Sequence, residues 1–168
     1  ASDKTFEENV RITRKAVEMA RPFHASVESE IGHVAGLEAL FENDHNVFTD
    51  PETARKFAEA TEVDALAVSI GNVHGVYRKE PDIQFELLER LEQEVPVPLV
   101  LHGASGISDE DTRRMVRCGI TKVNYYTDLC IAASDCIRQN ADKHYYELSK
   151  AVVDAVKEAA KAKMLLLK

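Results

Sequence analysis

The sequence predicts an α/β fold in which parallel strands alternate with outer helices, in the manner of a (β/α)8 barrel. Three observations predict it. Residues 65–70 and 98–101 are nearly continuous apolar runs, as expected of strands buried on both faces in a parallel sheet, and the β-branched Ile120, Thr121 and Val123 mark a further strand at 120–124. Segments with helix start and stop signals separate them. One strand plus one helix recurs every ~30–35 residues, the spacing of a barrel repeat. A closed barrel takes about 250 residues. The chain has 168, so its four strands make half a barrel or a small open sheet.

The elements follow in order. Residues 5–20 read as a helix, with Thr5 as N-cap and Glu8 completing a capping box. Val10, Val17 and Ala20 are its expected buried face. Residues 25–31 alternate small or apolar with polar side chains and read as a strand. Residues 32–46 form a long loop without a period, and such loops are often functional lids. Asp50-Pro51-Glu52 is a helix start, with Asp as cap and Pro in the first turn. The strand at 65–70 ends in Gly71-Asn72-Val73-His74-Gly75. A helix spans 84–94. The next strand ends in His102-Gly103-Ala104-Ser105-Gly106. Ser108 caps a helix to Cys118, stopped by Gly119. The strand at 120–124 leads to a helix from about Asp128, and a last helix spans 142–163.

Composition narrows the partners. The net charge of -8, without a basic cluster, argues against nucleic acid or an anionic membrane. Cys118, Cys130 and Cys136 are an odd set without a Cys-x-x-Cys pair, which reads as reduced thiols in the cytoplasm. No apolar run approaches the ~20 residues of a membrane span. The polar start, Ala1-Ser2-Asp3-Lys4, does not read as a signal peptide. It lacks an initiator Met, which reads as processing or truncation.

Chemistry in barrels sits after strand C-termini. His74 and His102 occupy two such positions, each followed by glycine. Histidines at the ends of neighbouring strands can converge on one ion, and imidazole suits zinc. Against this stands the ordinary reading of a strand-end His as a hydrogen-bonded structural residue. The glycines around Ser105 and the turn Asn124-Tyr125-Tyr126-Thr127 leave backbone N–H groups for an anion before helix starts. Glycines also simply make turns. Glu28 or Glu30 could enter a barrel mouth, although a solvated strand edge is the plainer reading. His24, His45 and His144 read as surface residues, and His33 as non-ligating.

These motifs resemble the class II, zinc-dependent fructose- and tagatose-bisphosphate aldolases. Val27-Glu28-Ser29-Glu30-Ile31-Gly32 and Gly36-Leu37-Glu38 resemble that family's fifth strand and lid. Ser69 to Tyr77, Leu99 to Gly106 and Lys122-Val123-Asn124 with Thr127-Asp128 resemble its later zinc and phosphate motifs. The resemblance implies an α/β TIM barrel of which residues 1–168 are the C-terminal half, strands five to eight. It implies that His74 and His102 bind zinc, with a monovalent cation as a second expected ion. It implies that Gly75, Gly103, Ala104, Ser105, Asn124, Tyr125, Tyr126 and Thr127 hold a phosphate of a phosphorylated ketose or dihydroxyacetone phosphate. Glu38 matches the loop acid that handles the enediolate proton. Glu28, ahead of Glu30, is the candidate for a contact that supports a metal ligand from behind or for an alternative metal contact. A homo-oligomer is expected.

The sequence departs from the family in two places. No His-x-Asp-His segment, which carries the family's first zinc histidine and main base, is present. Tyr145-Tyr146 is followed by Glu147-Leu148-Ser149-Lys150, where many relatives place a phosphate-binding arginine; Lys150 is the candidate substitute. The chain by itself is therefore expected to be inactive, to need its N-terminal half, and to expose inner side chains such as Val68 and Val100. The alternative to an enzyme half is a non-catalytic half-barrel that binds a phosphosugar or a partner. A third reading is another metal-dependent barrel lyase or hydrolase.

Overall fold

The computed structural model describes residues 4–32, 48–75, 77 and 80–168. In chain order these form α1 (Phe6–Ala20), a short 3-10 turn (Arg21–Phe23), β1 (Glu28–Ile31), α2 (Pro51–Thr61), β2 (Ala65–Val68), α3 (Phe85–Glu94), β3 (Leu99–Leu101), α4 (Asp109–Arg117), β4 (Ile120–Val123), α5 (Thr127–Gln139) and α6 (Tyr145–Leu166). The strands form one parallel sheet in the order β1-β2-β3-β4. Sequential parallel strands with helical connections are the half-barrel topology. The long loop at 32–46 lies almost wholly outside the described residues, and with it His33, Glu38 and His45.

Register decides which side chains share a face. In a parallel sheet, paired residues point the same way and alternate along each strand. Ser29 pairs with Leu66, Leu66 with Leu99, and Leu99 with Ile120. That row meets the helices. Leu66, Val68, Leu99, Leu101 and Ile120 join Phe57, Leu88, Leu91 and Met115 in the buried core. The other row is Glu30, Ala67, Val100 and Lys122. Ala67 and Val100 are fully buried but lie outside that core cluster. An irregularity between Leu99 and Val100 in the β3–β4 ladder shifts the pairing, so that Val100 meets Lys122 rather than Thr121. The inner face of the half-barrel thus carries charged residues on its outer strands and apolar ones on the two central strands. Val68 is not one of its residues, contrary to the sequence expectation, because it lies in the alternate register. Nor is Val100 exposed; both valines have no accessible surface.

α1 also differs from expectation. Its buried residues are Asn9, Thr13 and Val17, with Val10 only partly buried against the core. The polar row faces an edge strand. Asn9 Nδ2 donates to the Glu30 carbonyl at 3.1 Å, and Thr13 Oγ1 pairs with Ser29 Oγ at 3.1 Å. Thr5 and Asp50 cap their helices as predicted. β1 begins at Glu28 rather than Ala25, because the chain is still leaving the left-handed turn at His24, φ 52°. α6 begins at Tyr145 because His144 is an extended N-cap.

Candidate active site

The inner row converges at the strand C-termini. His102 stands two residues beyond Val100 and so shares its face. Its Nδ1 lies 2.9 Å from Glu30 Oε2, and its Nε2 lies 2.9 Å from Glu28 Oε1. The His74 and His102 rings approach to 5.7 Å between centroids, inclined at 45°. One ligand atom each from Glu30, His74 and His102 falls within 4.8 Å of the others. A His-His-Glu set of this kind suits a catalytic zinc, which needs three protein ligands and an open position. The residues therefore fit the metal. The carboxylate in the set is Glu30, the less favoured of the two, while Glu28 backs His102 from its other ring nitrogen, the supporting place that the sequence also allowed it. Glu28 is turned instead to Lys122, whose Nζ donates to it at 2.6 Å and to Asn124 Oδ1 at 2.9 Å.

Electrostatics follow from these contacts. The hydrogen bond to Glu30 raises the His102 pKa above the usual imidazole value; burial opposes this and Glu28 adds to it. Burial pushes the Glu28 carboxyl up, but the bonds from Lys122 and His102 outweigh it and hold the pKa below the ordinary value. With both ring nitrogens facing carboxylates, the protonated form of His102 is favoured in the metal-free protein. Zinc binding would displace that proton.

Buried polar groups fix the histidine loops. Asn72 is fully buried. Its Oδ1 accepts from the Ile70 amide at 2.8 Å, and its Nδ2 donates to the His102 carbonyl at 2.9 Å. One side chain thus ties the loop after β2 to the end of β3. Tyr77 makes a second tie. Its hydroxyl accepts from the Val73 amide at 2.9 Å and donates to the Gly103 carbonyl at 3.0 Å. Gly103 has φ 63°, and a Cβ there would lie 2.1 Å from the Val73 carbonyl oxygen. Only glycine permits that approach. Thr49 joins β1 to the end of β2, donating to the Ile31 carbonyl at 2.7 Å and accepting from the Ser69 amide at 2.8 Å.

The expected anion turns lie side by side. The Ala104 amide points to the Asn124 carbonyl at 3.5 Å, and the Asn124 amide donates to the Leu101 carbonyl at 2.8 Å. Ser105 Oγ accepts from the Asp128 amide at 3.2 Å, so this hydroxyl caps α5. Asp128 Oδ2 in turn accepts from the Gly106 amide at 3.2 Å. Tyr126, the N-cap of α5, gives no side-chain cap. Thr127 opens the helix, where first-turn N–H groups have no intrahelical acceptor. Gly75 has φ 95° beside His74. The Tyr125 hydroxyl is pushed up to about 12 by burial and by its bond to Asp128. Tyr126 is exposed and is paired with Cys130.

The structure brings together His74, His102 and the two turns that the sequence singled out. Glu38 lies outside the described residues. Lys150, Tyr145 and Tyr146 are exposed on α6. His24 and His144 are exposed helix-boundary residues, as expected. The sequence reading gave no separate role to Asn72, Tyr77 or Thr49. A buried Asn between strand and turn was the one available signal, since such a side chain must be hydrogen-bonded.

Comparison with known proteins agrees with this geometry. The class-II fructose-bisphosphate aldolase family matches residues 1–168. An uncharacterized protein of Escherichia coli K12, YdjI, is 46% identical over 170 residues, which cover 99% of this chain and 60% of that protein. The D-tagatose-1,6-bisphosphate aldolase subunit GatY of Klebsiella oxytoca is 40% identical over 165 residues, covering 92% and 58%. Among solved structures, the YdjI aldolase of E. coli K12 superposes with a TM-score of 0.88 at 44% identity, covering 99% of this chain and 58% of that one. A structure of a putative fructose-1,6-bisphosphate aldolase from Coccidioides immitis gives 0.89 at 29% identity, covering 99% and 60%. The chain spans about 60% of the length of the curated relatives it matches.

Proposed function

The chain belongs to the class-II fructose-bisphosphate aldolase family, and on that premise we propose that it is the C-terminal half of a zinc-dependent ketose-bisphosphate aldolase. The reaction is reversible cleavage of fructose- or tagatose-1,6-bisphosphate to dihydroxyacetone phosphate and glyceraldehyde 3-phosphate. The observation that carries this reading is the convergence of Glu30, His74 and His102 within 4.8 Å, next to the turns at Ser105 and Asn124.

In this reading His74, His102 and Glu30 hold the metal. Zinc there supplies Lewis-acid polarisation of the ketose carbonyl. Glu28, fixed by Lys122, orients His102 through its other ring nitrogen, as outer partners of metal histidines do. Gly75, Gly103, Ser105, Tyr125, Tyr126 and Thr127 cradle one phosphate, chiefly through backbone N–H groups, while Ala104 and Asn124, whose amides donate to the Asn124 and Leu101 carbonyls, hold the two turns of that cradle together. Glu38 serves the enediolate carbon as acid–base group. The base that takes the C4-hydroxyl proton, with the family's first zinc histidine, comes from the N-terminal half, so residues 1–168 alone are inactive. The three cysteines are unpaired, which supports a cytoplasmic enzyme of carbohydrate metabolism. Among the described residues no helix is long and apolar enough to cross a membrane. A homo-oligomer completes the proposal.

The test is cleavage of each ketose bisphosphate by the full-length protein, before and after chelation. Activity lost to chelator and restored by zinc is expected, with none in His102→Ala. Chelator-resistant cleavage would refute the assignment.

A further inference from the structure

The last helix carries an oddity. Among the 22 residues of α6 the one buried residue is a lysine, Lys163, with 9% of its surface exposed. Lysine is almost never buried without a partner. Among the described residues the Lys163 side chain makes no hydrogen bond or ion pair. Its Nζ sits instead 5.0 Å from the centroid of the Tyr125 ring, within cation–π range. Asp109 at the start of α4 and Asp128 at the start of α5 are the nearby countercharges. Burial depresses the ammonium pKa, and these two carboxylates oppose that. The acids make the spot unfit for a second anion, so the cation is directed at the protein itself.

Tyr125 is the middle of a relay. Its ring carries the Lys163 ammonium, and its hydroxyl lies close enough to Asp128 to feel that carboxylate. Asp128 Oδ2 accepts from the Gly106 amide at 3.2 Å, and its own amide donates to Ser105 Oγ at 3.2 Å. Asp128 is thus bonded to the turn at 103–106 and stands beside Tyr125 in the turn at 124–127. α6 packs on α5 and touches α4, so Lys163 links the end of the chain to the aim of these turns. Direct backbone recognition of a phosphate depends on where the amides point, and a small rotation at Ser105 or Tyr126 would misdirect them.

We propose that Lys163 is a positioning residue for phosphate recognition, holding Tyr125 and Asp128 so that the turns at 103–106 and 124–127 present their amides to one anion. The inference rests on the reading of those turns as the phosphate site. It adds a determinant more than thirty residues away in sequence, outside every motif in the resemblance.

The test uses the full-length, zinc-loaded protein with inorganic phosphate as probe, followed by calorimetry, beside KM and kcat for the bisphosphate. Lys163→Met should weaken phosphate about tenfold, the loss of roughly one well-aligned hydrogen bond. KM should rise by a similar factor, with kcat and zinc affinity within twofold of wild type. Lys163→Arg, which keeps the cation over the ring, should restore both. A merely structural role would move zinc affinity and kcat along with phosphate. Wild-type phosphate affinity in Lys163→Met, or a parallel loss of zinc, overturns the inference. Should Lys163→Met not fold, Lys163→Gln, which removes the charge but keeps a polar side chain, takes its place: weaker phosphate with unchanged zinc affinity supports the relay, and wild-type phosphate affinity refutes it. A wild-type protein that binds no phosphate at all defeats the assignment of the turns, and this inference with it.

Discussion

The two faces of the sheet are built for different purposes. The helix-side row, Leu66, Leu99 and Ile120 with Val68 and Leu101 beside it, is apolar and packed. The inner row, Glu30, Ala67, Val100 and Lys122, mixes two small or medium apolar residues with two charged ones and ends at His102. Successive residues of the same strand serve one or the other. Stability is concentrated on the first face, and chemistry on the second. The polar groups of the inner face are not idle there: Glu28 and Glu30 are satisfied by His102 and Lys122.

Substitutions one residue apart should therefore behave differently. Leu66→Ala on the helix side should cost about 2–5 kcal/mol, because Leu66 has no exposed surface and its neighbours can collapse only in part. Urea denaturation measures it. Metal affinity of the molecules that remain folded should be unchanged. A cost below 1 kcal/mol would show that the apolar row is not where the stability lies.

Asn72 joins the two functions. Asn72→Ala leaves the Ile70 amide and the His102 carbonyl without this partner. A loss of about 1–3 kcal/mol is expected for unsatisfied buried groups. Zinc affinity should also fall, since His102 loses its tether. Measuring unfolding and zinc competition on one sample separates the effects. A loss of stability with full zinc affinity would show that the tether does not position the histidine.

The smallest effect is a pH dependence of the metal-free protein. The folded-state pKa of His102 is raised by Glu30 first, with Glu28 adding. A raised imidazole pKa stabilises the fold fully below the unfolded value near 6.5. The contribution is lost as pH rises through the folded value. The unfolding midpoint of Glu30→Gln should therefore approach that of wild type at alkaline pH and fall short of it at pH near 6. A difference independent of pH would contradict the ion-pair account.

Much of this was legible in the sequence, for physical reasons. Apolar runs and the Asp50-Pro51 cap marked strands and helices locally. Glycine-flanked His74 and His102 stood out because strand ends and turns have distinct residue preferences. The face of each strand was less legible. Val68 and Val100 look alike in sequence, and only the pairing register places one among helices and the other on the inner row. The choice of Glu30 over Glu28 was hidden for a related reason. Both carboxylates share the face, and a contact from β4, Lys122, draws Glu28 aside. α1 misled in the same way, since its inward Asn9 and Thr13 satisfy an edge strand rather than fill a core.

The central claim is that the inner row ends in a metal site whose ligands include Glu30. The direct measurement is zinc affinity by competition with a chromophoric chelator, on full-length wild type, His102→Ala and Glu30→Gln, with unfolding midpoints recorded alongside. The account predicts tight binding by wild type and a loss of more than about 100-fold in His102→Ala, beyond the range of outer partners. It predicts a loss of at least about tenfold in Glu30→Gln, with midpoints within roughly 4 °C of the metal-free wild type. Wild-type zinc affinity in either variant would contradict it.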